Sequence, residues 1–258
     1  MTTVHGATHR VSEFGGNGVR EFGGLPAESC VLGDDAYRYE IVRFAPGERR
    51  TFDSLATGAA WLLDGGPVRA EHRAGTASVD AGGALLFEGA GLTLTAGDHP
   101  ASILLAGTGN DADRPPSIAA VRQGDLHRVE KPWGEELWIN GRHPTYAFKR
   151  IVLRAGHRTS LQYHEFKRET NLLLAGSARL HFNAVAGGHG GPYESAPIEA
   201  VSVVDVTPGI LHRIEAVTDV TLFEVSTPHL DDVIRVSDDS NRADGLISSE
   251  HPGGAHAS

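Results

Sequence analysis

Four polar residues of the chain have side chains of the types that bind a divalent metal ion. Gln162, His164 and Glu169 lie in the segment Gly156–Gly176, GHRTSLQYHEFKRETNLLLAG, and His212 follows later in TPGILHR. Two imidazole nitrogens and two side-chain oxygens form a suitable ligand set for zinc, iron or manganese, and the set does not discriminate between these ions. We therefore predict a divalent-metal site built from two distant parts of the chain.

The expected secondary structure would bring these side chains together. Gln162 and His164 are two residues apart in a run with strand character, so their side chains leave the same face. The polar residues EFKR predict the end of a hairpin, and TNLLLAG predicts the strand that returns after Glu169. We therefore expect a β-hairpin that places Glu169 beside His164.

Each of these residues also has an ordinary structural explanation. Gln162 would suit a sheet edge, His164 a hydrogen-bonded core position, and Glu169 a solvated hairpin tip. Buried together on one face, the three polar side chains would be costly unless they shared a partner. The combined spacing therefore favours a bound cation, and catalysis by that cation would require an open coordination position.

The spacing of this segment resembles the first metal-binding motif of the cupin superfamily, with Gln162 at the position of the first histidine. The stretch Thr207–His212 is similar to the second cupin motif, a Pro-Gly turn followed by a strand with one histidine. Within residues 131–242, five stretches in one order look like the cupin domain of type II mannose-6-phosphate isomerases: KPWGEELW, SLQYH, PGILHR, FEV and LDDVIRVSDDSNR.

This resemblance implies that Gln162, His164, Glu169 and His212 hold the metal, one residue for each ligand position of the family. The stretch that follows His164 departs from the family. It has the sequence EFKRETN where the family usually has a His/Arg-rich run that ends in Glu-His-Trp.

Three further residues are expected to take part in catalysis. A lysine at the position of Lys149 faces the substrate in the isomerase family, and strand alternation puts the two neighbours of Lys149 on the opposite face. The family also has an arginine at the position of Arg213, although alternation starts this side chain on the face opposite to the ligand His212. Glu224 lies on an otherwise apolar strand, TLFEVS, and either points into the barrel as a base or stands on a solvated face.

The resemblance implies that the chain interconverts an aldose and a ketose of a phosphorylated sugar. A bound metal would polarise the carbonyl group, and Lys149 or Glu224 would move a proton between two carbons, with Arg213 or Lys149 stabilising charge. Two alternatives remain open at this stage. One is a different metal-dependent bicupin enzyme, namely a dioxygenase, decarboxylase or epimerase that acts on a small polar metabolite. The other is a non-catalytic sugar-binding cupin.

Composition excludes several other classes of function. The chain has 258 residues and a formal net charge of −10, which argues against a nucleic-acid groove. Its one cysteine, Cys30, allows no internal disulfide and fits a reducing compartment. No run approaches the roughly 18 apolar residues of a membrane span, and the N-terminus has no apolar signal core. We therefore expect a cytoplasmic protein that binds a small molecule, such as a sugar phosphate, and neither nucleic acid nor a membrane.

The predicted fold class is all-β, with two cupin domains, each a jelly-roll β-barrel, in one bicupin chain. Thirty-two glycines and thirteen prolines fit many short strands and turns. The expected divisions are a loosely ordered N-terminus (1–19), a cupin-like domain without a metal site (20–108), a linker (109–120), a metal-binding cupin domain (121–243) and a disordered tail (244–258). The first domain has one histidine within its sheet region, His72, which we expect to be a packing or surface residue. A domain without metal fits a role in forming a homodimer or a lid.

Overall fold

Short antiparallel strands form nearly all of the regular structure in a computed structural model of the chain. The structure describes residues 10–14, 17–33, 35–109, 114–183, 193–239 and 245–246. Within these residues no helix is long and apolar enough to cross a membrane. Turns with glycine at positive φ separate many of the strands, as the glycine-rich composition predicts.

The N-terminal half consists of two facing sheets. The smaller sheet has the order β5-β10-β7-β8, and the larger has the order β12-β9-β6-β11-β4-β3. The strands of this half are β3 (Cys30–Val31), β4 (Arg38–Phe44), β5 (Arg49–Phe52), β6 (Thr57–Gly65), β7 (Val68–His72), β8 (Gly75–Val79), β9 (Ala84–Glu88), β10 (Leu92–Ala96), β11 (Ala101–Thr108) and β12 (Ser117–Val121).

The C-terminal half has the same two-sheet plan. An eight-stranded sheet has the order β1-β2-β20-β17-β22-β15-β14-β13, and a six-stranded sheet has the order β19-β18-β21-β16-β23-β24. Its elements are β1 (Arg10–Phe14), β2 (Asn17–Glu21), a 3-10 turn (Gln123–Asp125), β13 (His127–Lys131), β14 (Gly134–Trp138), β15 (Ala147–Leu153), β16 (Leu161–Tyr163), β17 (Glu169–Ala175), β18 (Ser177–Asn183), β19 (Glu194–Glu199), β20 (Ser202–Val206), β21 (Leu211–Ala216), β22 (Val220–Ser226), β23 (Ile234–Ser237) and β24 (Gly245–Leu246).

Three apolar cores hold this arrangement together. One fills the N-terminal barrel, a second fills part of the C-terminal barrel, and a third lies between the two halves. In the third core Trp61 of β6 packs against Phe223 of β22, with ring centroids 5.6 Å apart. Because β22 also faces the interior of the C-terminal barrel, the N-terminal half supports the back of the sheet that carries the site.

The ends of the predicted domains differ from the structure. Residues 1–19 were expected to be loosely ordered, but β1 and β2 pair with each other, and β2 extends the C-terminal sheet by pairing with β20. The predicted linker contains the start of β12, which pairs with β9. Of the predicted tail, Gly245–Leu246 pairs with β23, and the residues from 247 onward lie outside the described part of the chain, as do residues 1–9.

The predicted β-hairpin is wrong. Strand β16 pairs with β21 and β23 of the six-stranded sheet, whereas β17 pairs with β20 and β22 of the opposite sheet. Residues 164–168 therefore cross from one sheet to the other instead of forming a tight hairpin end. The physical reason is that β17 is buried on both faces and β16 has a strand partner on each edge, so each is an inner strand of its own sheet.

Candidate metal centre

Three of the four predicted ligands converge inside the C-terminal barrel. Glu169 Oε2 lies 3.5 Å from His164 Nε2, and Glu169 Oε1 lies 3.3 Å from His212 Nε2. One ligand atom from each of the three buried residues lies within 4.8 Å of the other two. Residues in the two facing sheets thus supply an N,N,O ligand set of the kind that zinc, iron and manganese accept.

A turn at Gly209 connects the segment before His212 to His164. The backbone N–H of Gly209 donates a hydrogen bond of 2.7 Å to the carbonyl oxygen of His164. Gly209 has a φ of 83°, which favours glycine at this position. The turn leads directly into β21, where His212 lies opposite Gln162 of β16.

Hydrogen bonds to backbone carbonyls orient both imidazole rings. His164 Nδ1 bonds to the carbonyl oxygen of Asp232, and His212 Nδ1 bonds to that of Ile210 at 3.0 Å. Because a carbonyl oxygen can only accept, each Nδ1 carries the hydrogen, and each neutral ring keeps a lone pair on Nε2. These backbone contacts are the kind that fix a metal-binding histidine in its tautomer.

The orientation of His164 fits a bound cation. Its Nε2 is buried and has no hydrogen-bond partner among the residues that the structure describes. The Nε2 atoms of His164 and His212 face the oxygens of Glu169, so a cation bound between the three side chains would contact all of them. Burial, the largest influence, and the charge of Lys167 both lower the pKa of His164, so the ring favours the neutral form that a metal requires.

The fourth predicted ligand, Gln162, lines the same cavity. Its side-chain oxygen accepts a hydrogen bond of 2.7 Å from the hydroxyl group of Ser160. Gln162 is a direct neighbour of His212 across the two strands. The structure therefore brings Gln162 to the site, with its amide oxygen engaged by Ser160.

A buried lysine lies next to the carboxylate of this group. Lys167 Nζ is 2.5 Å from Glu169 Oε2 and 2.9 Å from Glu224 Oε1. Burial lowers the pKa of Lys167, but the charges of Glu169 and Glu224 outweigh this effect and raise it above its usual value. Burial raises the pKa of Glu169, yet the charge of Lys167 brings it well below its usual value. This ion pair is therefore fully charged near neutral pH.

Polar residues continue from this pair across the inner face of the eight-stranded sheet. Asn171, Glu224, Lys149 and Trp138 are directly opposite one another on four neighbouring strands. Asn171 Nδ2 donates a hydrogen bond of 3.1 Å to Glu169 Oε1, which links the row to the ligand group. The register of the sheet thus aligns side chains that are far apart in sequence.

The ammonium group of Lys149 has no hydrogen-bond acceptor among the described residues. Its Nζ lies 3.8 Å from Glu136 Oε2 and 3.9 Å from Glu224 Oε1, beyond hydrogen-bond length. The ammonium group sits over the ring of Trp138, 4.4 Å from the centroid. Lys149 is only 4 % exposed, so a bound molecule is the natural acceptor for its N–H groups.

A cavity of about 70 Å³ joins these groups. Its lining includes apolar side chains, among them Trp133, Ile151 and Leu222. It also includes the charged and polar residues Glu136, Lys149, Gln162, Lys167, Glu169, Asn171, His212 and Glu224. The cavity can therefore bind a small polar molecule beside the metal ligands.

The fold of the whole chain is similar to that of solved oxalate decarboxylases. Two structures of the Bacillus subtilis enzyme match with TM-scores of 0.58 and 0.60 at 13% and 12% identity, covering 87% and 91% of this chain and 78% and 80% of those chains. A formate complex of the Lactobacillus farciminis enzyme matches with a TM-score of 0.59 at 11% identity, covering 91% of this chain and 90% of that chain. No protein-family model and no curated protein sequence matches the chain significantly.

The chain has a bicupin fold. Coverage of both halves by two-domain structures, together with two jelly-roll sandwiches in one chain, confirms the predicted fold class. Identities of 11–13% carry the fold alone.

Within the bicupin, Lys149 and Glu224 line the cavity, but Arg213 lies elsewhere. Its guanidinium group donates to the carbonyl oxygen of Ser237 at 3.2 Å and lies 3.5 Å from Asp239 Oδ1. Arg213 follows His212 on β21, so alternation directs it to the opposite face of the sheet. The structure does not bring Arg213 together with the ligand group.

Several site residues were not predicted from the sequence. Lys167 belongs to the EFKR stretch that we assigned to a solvated hairpin end, and it is buried instead. Glu136 and Asn171 have a recognisable signal, because Glu136 shares a strand face with Gly134 and Trp138, and Asn171 follows the predicted ligand Glu169 on the same face of β17. The carboxylate of Asp232 accepts hydrogen bonds from the backbone amides of residues 165–167, a contact between segments that are far apart in the sequence.

The N-terminal cupin has a different interior. The positions that face into its barrel are occupied by apolar side chains, including Phe44, Leu62 and Phe87. His72 is buried and bonded through Nε2 to the carbonyl oxygen of Gly89 at 2.9 Å, which makes it a packing residue. An open cleft of about 900 Å³ on this half contains Arg43 and Arg50, and both form ion pairs within it.

Proposed function

We propose that the chain is a metal-dependent enzyme that decarboxylates a small organic acid in its C-terminal cupin. The observation that carries this proposal is the buried Nε2 of His164, which lies beside Glu169 and His212 and has no hydrogen-bond partner in the described part of the chain. The similar solved structures are oxalate decarboxylases, and one of them is described by its Mn(II) centres. Manganese is therefore the first ion to test.

The charge of the cavity supports an anionic substrate. Among the residues that line the cavity, Glu136, Glu169 and Glu224 carry three negative charges, and Lys149 and Lys167 carry two positive charges. The buried Lys131 lies 3.7 Å from Glu136 and balances the third carboxylate. A bound divalent ion would leave the site positively charged, which favours the binding of an anion in a region that excludes most water.

The size of the cavity supports a small substrate. A water molecule requires a cavity volume of about 10–15 Å³, measured as the space open to a water-sized sphere. The cavity of about 70 Å³ therefore holds roughly five waters. An acid with two to four carbons has a comparable size. A hexose phosphate is larger, and the similar solved structures give no support to the sugar-phosphate isomerase that the sequence motifs predicted.

The reaction that we propose breaks one carbon–carbon bond. The carboxylate of the acid leaves as CO₂, and a proton takes its place on the remaining carbon, so the reaction needs no external oxidant. A bound divalent ion would act as a Lewis acid toward the oxygens of the substrate.

The side chains that line the cavity would bind the substrate, transfer the proton and limit the access of water. Lys149 would donate hydrogen bonds to the substrate anion, because its Nζ lies beyond hydrogen-bond length from Glu136 and Glu224. Glu224, 3.9 Å from Lys149, would exchange the proton with the substrate carbon. The apolar wall formed by Trp133, Ile151 and Leu222 would limit the access of water.

The test combines metal analysis with an open substrate screen. Protein loaded with Mn²⁺ would be assayed for CO₂ release from oxalate and from other acids of two to four carbons, with oxygen uptake recorded in parallel. We expect CO₂ release that requires metal and disappears in His164→Ala. Isomerisation of mannose 6-phosphate without CO₂ release from any acid would contradict the proposal, and stoichiometric oxygen uptake would indicate a dioxygenase instead.

A further inference from the structure

We propose that Lys167 is an internal counter-ion that competes with the metal ion for Glu169. This inference rests on the metal site of the proposed function and adds a residue that controls how tightly the ion is held. Lys167 Nζ lies 2.5 Å from Glu169 Oε2, the same oxygen that faces His164 Nε2 at 3.5 Å. The ammonium group therefore already neutralises the carboxylate that a metal would need.

The backbone of Lys167 is fixed so that its side chain enters the barrel. The carboxylate of Asp232 accepts hydrogen bonds from the N–H groups of Phe166 at 2.6 Å and Lys167 at 2.8 Å. Phe166 is 64% exposed, whereas Lys167 is 5% exposed. The crossing segment thus turns one residue out and the next one in, and the buried position of Lys167 does not depend on a flexible loop tip.

Two cations on one carboxylate would repel each other. A divalent ion bound to Glu169 and His164 would share Oε2 with the ammonium group, or would lie within a few ångströms of it. In a buried site this repulsion is only weakly screened by solvent. The free energy of metal binding is therefore reduced by the charge of Lys167.

Glu224 provides a second position for the lysine. Its Oε1 lies 2.9 Å from Lys167 Nζ, so the ammonium group can keep one strong hydrogen bond when Glu169 turns to a metal. Without metal, Lys167 balances one of two buried carboxylates that would otherwise repel each other. The site can consequently stay assembled without metal, and its affinity for the metal ion is lower.

The experiment compares three variants of Lys167 by calorimetric titration with Mn²⁺ alone. Lys167→Gln keeps a hydrogen-bond donor and loses the charge, Lys167→Met loses both, and Lys167→Arg keeps the charge. We expect Gln and Met to bind Mn²⁺ at least tenfold more tightly than wild type, and Arg to stay within threefold. In metal-free protein we expect lower melting temperatures for Gln and Met.

The opposite sign would overturn the proposal. If Lys167 only oriented Glu169 toward the metal, its loss would weaken binding, by about 10–100-fold as for other groups that hold a metal ligand. Equal tightening in the Arg variant would also contradict it, because the charge would then not be the cause. If Lys167→Met does not fold, the Gln variant carries the comparison.

The result is separable from the proposed reaction. Metal affinity is measured without substrate, so tighter binding by Lys167→Gln supports the competition whether or not any acid is decarboxylated. A wild-type protein that binds no Mn²⁺ beside a Gln variant that does would support the competition and contradict metal-dependent catalysis by the natural chain. Absence of binding in all four proteins would contradict both.

Discussion

Asp232 supports His164 through both its backbone and its side chain. The carbonyl oxygen of Asp232 accepts the hydrogen bond from His164 Nδ1. The carboxylate accepts hydrogen bonds from the N–H groups of Glu165, Phe166 and Lys167, at 3.0, 2.6 and 2.8 Å. One residue of the segment before β23 thus holds the first ligand histidine and the crossing segment that leads to the ligand Glu169.

Removal of the Asp232 carboxylate should loosen the site without touching a ligand. In Asp232→Ala three backbone N–H groups lose a charged acceptor, and each such loss costs about 1–3 kcal/mol when water does not replace it. Because these amides are partly accessible, we expect a total loss of about 1–3 kcal/mol in unfolding free energy and a roughly tenfold loss of Mn²⁺ affinity. Denaturant unfolding and metal titration measure the two effects.

The neighbouring Asp231 provides a matched control. Its carboxylate lies 3.6 Å from Arg142, and both side chains are well exposed. Exposed ion pairs contribute little, so Asp231→Ala should change the unfolding free energy by less than about 1 kcal/mol and leave metal affinity unchanged. Equal effects of the two substitutions would show that Asp232 has no special role.

Metal should stabilise the folded protein through the two histidines. At a hundredfold excess over the dissociation constant, Mn²⁺ should add about 2.7 kcal/mol, which corresponds to a rise of roughly 5–10 °C in melting temperature. His164→Ala and His212→Ala should abolish the rise, and a chelator should reverse it in the wild type. Differential scanning calorimetry with and without metal measures the shift.

His72 separates metal binding from general stability. This histidine is also buried and hydrogen bonded, but it lies in the N-terminal cupin. His72→Ala should lower the melting temperature and keep the full response to metal. If the response were lost there too, the shift could not be assigned to His164 and His212.

The residues of the candidate metal centre could be predicted because short sequence motifs carry them. Strand alternation and motif spacing identified Gln162, His164, Glu169 and His212, and the same argument selected Lys149 over Arg150 for the barrel interior. The fold class followed from short apolar runs between glycine-rich turns, together with the motif resemblance. Each of these predictions uses a pattern that is visible within one short stretch of the sequence.

The remainder depends on contacts between distant strands. Lys167 is buried because Glu169 and Glu224 neutralise it, and no local pattern of EFKR reports a carboxylate from β22. The hairpin prediction failed for a similar reason, since the partners of β16 and β17 lie on opposite sheets. The contacts of Asp232 with residues 164–167 could not be predicted, because Asp232 lies more than sixty residues later in the sequence.

Lys149 should be needed for turnover. Lys149→Met removes an ammonium group that lies 3.8 Å from Glu136 and 3.9 Å from Glu224, beyond hydrogen-bond length, so we expect activity to fall far more than stability. Loss of one preorganised donor to a developing charge typically costs 10²–10³ in rate, and we expect a loss of that order in kcat/KM. Steady-state kinetics on whichever acid releases CO₂ would measure it.

Arg150 is the matched control for Lys149. It is the next residue on β15, and alternation directs its half-buried side chain to the other face of the sheet. Arg150→Met should leave kcat/KM within about threefold of wild type. A Lys149 variant with full activity would exclude contact between its ammonium group and the substrate.

The two cupin halves should unfold as one cooperative unit. Trp61 of the N-terminal half packs on Phe223, and the hydroxyl group of Tyr39 donates a hydrogen bond of 3.0 Å to the carbonyl oxygen of Phe223. Trp61→Ala should cost about 3–5 kcal/mol, because it leaves a large void in the apolar core between the halves. The melting temperature of the metal-bound C-terminal site should fall together with that of the whole chain, as a single calorimetric transition.

Val31→Ala, a change at an exposed apolar residue of the same half, should shift stability by less than about 0.5 kcal/mol. Two separate transitions in Trp61→Ala, with the metal response confined to one of them, would mean that the C-terminal cupin does not need its neighbour to hold the site.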